Sequence, residues 1–120
     1  MSTVLVVEDN DLNRRLFVDL LTTKGHTILE ATDGPSALDL VQKKQPDLVL
    51  MDIQLPSVSG LEITQQIRQM PLKQPKIVAV SAFALKQDAD KAIQAGCDDY
   101  ISKPISIGPF FEIIDKNLKP

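Results

Sequence analysis

The chain has 120 residues, of which 43% are hydrophobic and 24% charged, and its 16 acidic and 13 basic side chains leave a net charge of -3. That is one ordinary domain, large enough to bury roughly two-thirds of its unfolded surface without staples, and a second domain of usual size does not fit. There is no long Lys/Arg block, no apolar run beyond four residues, no opening signal peptide and only one cysteine, Cys97; a nucleic-acid partner, membrane insertion, an internal disulfide and a multi-cysteine zinc site are therefore not expected, and a reducing cytoplasm is.

In chain order, Val4-Leu5-Val6-Val7 reads as a strand buried on both faces. Leu12, Leu16, Leu20 and Leu21 share one face of a helix from about residue 11 to Lys24, stopped at Gly25. Thr27 to Ala31 is a mixed, weaker strand of edge type, and Asp33-Gly34-Pro35 opens a helix with Ala37, Leu38 and Val41 inward. Leu48-Val49-Leu50-Met51 is the next strand. Ser59-Gly60-Leu61-Glu62 has the spacing of a capping box, with Ile63 and Ile67 following on one helical face. Ile77-Val78-Ala79-Val80 is a fourth strand; Ala89, Ala92, Ile93 and Ala95 mark a helix that ends at Gly96. Tyr100-Ile101 is a very short strand. Gly108-Pro109 opens the last helix, with Phe110, Ile113, Ile114 and Leu118 inward. Most of the eight prolines fall between or at the edges of these segments, where they punctuate rather than break them.

Alternation of this kind predicts an α/β fold: a five-stranded parallel sheet with five helices on both faces. Three strong and two weak strands suit the order 2-1-3-4-5, with the weak ones at the edges. Open sheets of this type bind ligands outside the carboxyl ends of their strands, where the order reverses. Those ends carry Glu8-Asp9, Asp52, Ser81 and Lys103. Singly, each reads as a helix start, a turn residue or a surface lysine; together they occupy four strand ends of one sheet. A carboxylate pair near 4 Å costs about 1 kcal/mol in water and about 4 at an effective dielectric of 20. A divalent cation relieves that cost, and all-oxygen ligands favour Mg²⁺, with Mn²⁺ a substitute. A carboxylate beside a metal and the Lys103 ammonium is placed to attack a phosphoryl phosphorus, and Ser81 could bond one of its oxygens.

Val7-Glu8-Asp9-Asn10, Met51-Asp52-Ile53-Gln54-Leu55-Pro56 with Ser59-Gly60, Val80-Ser81-Ala82 and Tyr100-Ile101-Ser102-Lys103-Pro104 resemble, over essentially the whole chain, the receiver domain of bacterial two-component response regulators. The resemblance implies a flavodoxin-like receiver over residues 1–120 with no output domain, and the stretches Glu8-Asp9-Asn10, Met51 to Pro56 and Ile101 to Ser106 are similar to single-domain members that act in cell division. It also implies roles. Asp52 is the phosphoacceptor. Asp9, Asp52 and the backbone carbonyl of Gln54 are metal ligands, with Glu8 acting partly through water. Lys103 holds the phosphoryl group and precedes a cis peptide at Pro104. Ser81 and the Ala82 N–H engage the phosphoryl oxygens, and Tyr100 is the aromatic switch residue that follows Ser81 inward. Three positions depart from the commoner pattern. Glu8 is one methylene longer than Asp, Ser81 replaces Thr, and Ser59 replaces Asp or Asn before Gly60.

On this reading the protein is not an enzyme but a phosphoacceptor that assists its own phosphorylation and dephosphorylation. Histidine kinases are its phosphate source and its possible allosteric targets, and it is a monomer or weak dimer. The alternatives are a shuttle that passes phosphate to a histidine phosphotransfer protein, and an interaction module that needs no phosphorylation. An aspartyl-phosphate hydrolase is disfavoured because Gln54 stands where such enzymes commonly carry a second Asp, and an FMN carrier because an acidic loop would repel its phosphate. The pairs Arg14-Arg15 and Lys43-Lys44 read as solvated. His26 lies at the strand end opposite the acids, Cys97 reads as a packed thiol, and Phe83 and Phe110 suit either the core or a binding face with Tyr100.

Overall fold

The computed structural model describes residues 2–55, 58–82 and 86–118, so Pro56 and Phe83 lie outside the described residues. Ten elements alternate along the chain: β1 (Thr3–Val7), α1 (Asp11–Thr23), β2 (Thr27–Ala31), α2 (Gly34–Lys44), β3 (Leu48–Asp52), α3 (Gly60–Arg68), β4 (Lys76–Ser81), α4 (Lys86–Ala95), β5 (Asp99–Ser102) and α5 (Ile107–Leu118). The strands form one sheet in the order β2-β1-β3-β4-β5, every neighbouring pair parallel.

Strand alternation divides the core in two. Leu5, Val7, Val49, Met51, Ile77 and Ala79 pack with residues of α2, α3 and α4 on one face. Val4, Val6, Leu48, Leu50, Val78 and Val80 pack with α1 and α5 on the other. Because β1, β3 and β4 are covered on both faces, their sequences are continuously apolar rather than alternating. The edge strand β2 keeps exposed Thr27 and Glu30.

Local chemistry sets the helix starts. Asn10 and Asp33 cap α1 and α2, their side-chain oxygens accepting from the N–H groups of Asn13 and Ser36 at 2.9 Å each. Ser59 caps α3, but its hydroxyl accepts from Leu61 N–H at 3.1 Å, one residue short of the partner that the capping-box spacing predicts. At the other end of α2, Gln45 adopts the left-handed conformation (φ 45°) that turns the chain out of the helix, and its N–H donates to the Val41 carbonyl at 3.0 Å.

The core face of α1 differs from the leucine pattern. Phe17 and Leu21 are its buried residues, whereas Leu12 is 80% exposed and Leu16 43%. Phe17 stacks on Phe110 of α5 with ring centroids 5.8 Å apart, which places Phe110 in the core. On α4 the small Ala92 and Ala95 face the sheet and Ile93 is half exposed.

The amino ends of β4 and β5 are tied by one side chain. Arg68, the last residue of α3, donates to the carbonyls of Gly96 (2.8 Å) and Pro75 (2.7 Å), to Gln74 Oε1 (3.1 Å) and to Asp98 Oδ2 (2.8 Å). Asp98 Oδ2 also accepts the Ile77 N–H. Cys97 is buried beside the Thr64 hydroxyl, and burial pushes its thiol up from the ordinary value. His26 sits at the amino end of β2, where its Nδ1 accepts from the Ser2 N–H. No helix among the described residues is long and apolar enough to cross a membrane.

Candidate functional site

Parallel pairing brings the strand ends together. Val7 is opposite Met51, Asp52 opposite Val80 and Ser81 opposite Ser102, so the residues at and just past the ends of β1, β3, β4 and β5 share one rim. Glu8, Asp52 and Ser81 are each almost fully buried there, and Asp9 is exposed. The four sequence positions singled out at strand ends thus do meet.

Lys103 is the cation of the rim. Its Nζ lies 2.9 Å from Glu8 Oε1 and 3.7 Å from Asp52 Oδ2, and its peptide bond to Pro104 is cis. Asp52 Oδ1 accepts from the Gln54 N–H at 2.9 Å, and Glu8 Oε2 accepts from Asn10 N–H at 3.2 Å. Burial first, and then the facing Asp52 carboxylate, hold the Glu8 carboxyl above its ordinary value against the opposing pull of Lys103. Two buried carboxylates thus share one ammonium.

Glu8, Asp9 and Asp52 each offer one carboxylate oxygen within 4.8 Å of the others, a group that could hold a metal ion. The donor set is oxygen only, and two of its three members are acids withdrawn from water; both properties suit a hard divalent cation. Glu8 nonetheless spends Oε1 on Lys103 and Oε2 on the backbone, which fits a contribution through water better than direct ligation.

The floor beneath Asp52 is set by α3. Gly60 donates its N–H to the Ile53 carbonyl, and a Cβ added at Gly60 would collide with the Asp52 carbonyl oxygen and lie 2.7 Å from Ile53 Cα. Tyr100, half-buried on β5 opposite Ala79, packs against the core beneath α4.

Two side chains have roles here that sequence spacing did not indicate. Arg14 is not a solvated cation: it donates to the Glu8 carbonyl (3.1 Å), to Asp11 (2.7 Å) and to Glu30 (3.2 Å), tying α1 to the ends of β1 and β2. Gln54 presents its side-chain Oε1 to the Ala82 N–H at 2.9 Å, so that amide, expected on a phosphoryl oxygen, already has an acceptor. Beside the rim lies a groove of about 500 Å³ whose lining includes Leu16, Phe17, Ala82, Lys103, Pro104 and Ile105.

Comparison with known proteins places this arrangement in a family. The model of the response regulator receiver domain matches residues 4–115. The polar-differentiation response regulators DivK of Brucella anthropi and Brucella ovis are each 47% identical over 117 residues, spanning 97% of this chain and 95% of theirs. Among crystal structures, a two-component response regulator of the LuxR family from Aurantimonas superposes with a TM-score of 0.91 at 28% identity, covering 98% of this chain and 85% of that one. The receiver domain of a Pseudomonas aeruginosa sensor histidine kinase, with a magnesium ion coordinated in its active-site cleft, superposes with a TM-score of 0.89 at 30% identity, covering 98% and 97%. Strand order, rim chemistry and relatives agree, and the chain belongs to the response regulator receiver family.

Proposed function

We propose that this receiver is a phosphorylation switch in which Asp52 accepts a phosphoryl group from the phosphohistidine of a histidine kinase. The observation that carries the reading is the buried Asp52 carboxylate, which shares the Lys103 ammonium with Glu8 and groups with Glu8 and Asp9 as a set that could hold a metal ion. An Asp52 oxygen forms the new bond to phosphorus as the bond from phosphorus to the imidazole nitrogen breaks, and that nitrogen keeps the electron pair. Lys103 offsets charge on the phosphoryl oxygens, and Ser81 and the Ala82 N–H donate to them. Asp9, Asp52 and the Gln54 carbonyl would hold Mg²⁺, or Mn²⁺ in its place, with Glu8 acting through water. When bound, the ion supplies neutralisation of the charge that gathers on the transferring group.

The acyl phosphate then shifts two populations of the surface built from α4, β5 and α5, with Ser81 drawn to the phosphate and Tyr100 following. A full reversal from 1:99 to 99:1 needs about 5.5 kcal/mol of differential stabilisation, of which the new charge and its hydrogen bonds supply part. Hydrolysis of the acyl phosphate, assisted by the same site, resets the switch.

The output of the switch is phosphorylation-dependent protein binding in cell-cycle control in the cytoplasm, with the protein acting as a monomer or weak dimer. The 47% identity to polar-differentiation regulators supports that role. It favours kinases as targets over onward transfer to a histidine phosphotransfer protein.

Incubation with Mg²⁺ and acetyl phosphate or beryllofluoride tests the acceptor: modification is expected in the wild type and not in Asp52→Asn. No modification, or modification that survives the substitution, overturns it. Pull-down of kinases with and without beryllofluoride tests the output, and rapid transfer to a phosphotransfer protein would overturn the allosteric reading.

A further inference from the structure

We infer that the Gln54 side chain is a latch, holding the unphosphorylated site closed by occupying the Ala82 amide that an incoming phosphoryl oxygen must take. The inference rests on reading Asp52 as the acceptor.

Gln54 is tied at both ends to the reacting rim. Its backbone N–H donates to Asp52 Oδ1 at 2.9 Å, and its side-chain Oε1 accepts from the Ala82 N–H at the same distance. The second bond joins residues 28 apart in the chain, across from the loop after β3 to the residue just past the end of β4. Val80 is paired with Asp52, so Ala82 immediately follows the strand beside the acceptor, one residue beyond buried Ser81.

The Gln54 carboxamide oxygen and a phosphoryl oxygen are both acceptors, and one N–H makes one good linear bond. A phosphoryl group that docks on Ala82 must therefore displace Gln54. The bond formed to the charged phosphoryl is the stronger one, so release is driven by the incoming group, but the latch must open first. A net hydrogen bond of this kind changes an equilibrium by about three- to ten-fold.

The test uses Gln54→Met, which keeps the length of the side chain and removes the acceptor, and Gln54→Glu, which strengthens the acceptor and adds a negative charge. Phosphorylation by acetyl phosphate and binding of beryllofluoride are followed at fixed Mg²⁺, with Mg²⁺ affinity and hydrogen exchange of the Ala82 amide measured on the same proteins. The latch predicts uptake about three- to ten-fold faster in Gln54→Met and slower in Gln54→Glu. It also predicts a comparable rise in Ala82 exchange in the unphosphorylated Met variant. Uptake in Gln54→Met within two-fold of wild type, or a gain fully accounted for by tighter Mg²⁺ binding, overturns the latch. So does unchanged exchange at Ala82. A wild-type protein that takes up neither acetyl phosphate nor beryllofluoride instead overturns the acceptor reading on which the latch depends.

Discussion

The bare α-carbon of Gly60 packs directly against the backbone of Asp52, at a separation that leaves no room for a methyl group. The obstacle is main chain, not the movable tip of a side chain, so the neighbour cannot step aside cheaply. Gly60→Ala is expected to cost about 1–3 kcal/mol through overpacking. Because the strain falls on the peptide of Asp52, the proposed acceptor, uptake of beryllofluoride should also weaken. Urea unfolding and a binding titration measure the two effects. Unchanged stability would mean that the α3 start moves freely relative to β3.

Arg68 predicts a second effect, at the opposite end of the sheet. Its guanidinium serves two carbonyls, an amide oxygen and a carboxylate at once, a fan of donors that an ammonium does not reproduce. Arg68→Lys should lower stability by about 1–3 kcal/mol despite conserving charge. Phosphoryl uptake should persist under conditions where the variant is folded. A urea midpoint equal to wild type would count against the network.

Within α1 two substitutions should diverge. Phe17→Ala empties a core position stacked on Phe110 and should cost about 3–5 kcal/mol. Leu12→Ala, at a residue 80% exposed, should change stability by no more than about 0.5 kcal/mol. A larger loss in Leu12→Ala than in Phe17→Ala would mean that the leucine face, not the phenylalanine face, packs on the sheet.

Asp33 gives a pH dependence. Its hydrogen bonds to Ser36 hold the carboxyl below the ordinary Asp value. A lowered folded-state value means the ionised cap stabilises fully above the ordinary value of about 3.9, and the contribution is lost as pH falls through the lowered one. Asp33→Asn keeps an accepting oxygen but does not titrate. The stability of wild type relative to this variant should be constant from pH 7 to about 5 and fall on further acidification. A gap that stays constant down to about pH 2.5 would remove the carboxylate from the cap's chemistry.

The fold was legible where single residue types carry single meanings. Runs such as Leu48 to Met51 suit burial on both faces, and parallel order then forces their ends onto one rim, which is why the sequence alone groups Glu8, Asp52, Ser81 and Lys103. The face of α1 was not legible in the same way. Leu12, Leu16, Leu20 and Leu21 read as one face, of which Leu21 is buried and Leu20 half-buried, but Phe17 takes the core position beside them by stacking on Phe110, 93 positions further along the chain. Arg14 and Gln54 escaped because their partners, the Glu8 carbonyl and the Ala82 amide, are backbone groups that every residue possesses. Which backbone group a long side chain reaches is decided by loop conformation, and periodicity carries no information about it.

The Glu8–Lys103 ion pair spans 95 positions of chain, from the end of the first strand to the end of the last. Lys103 lies just past β5, so Glu8 and Asp52 meet this ammonium only when β5 adds its strand beside β4. A chain lacking that strand would keep Asp52 but not the ammonium that lies beside it. Completion of the sheet and assembly of the rim's ion pairs are thus one event.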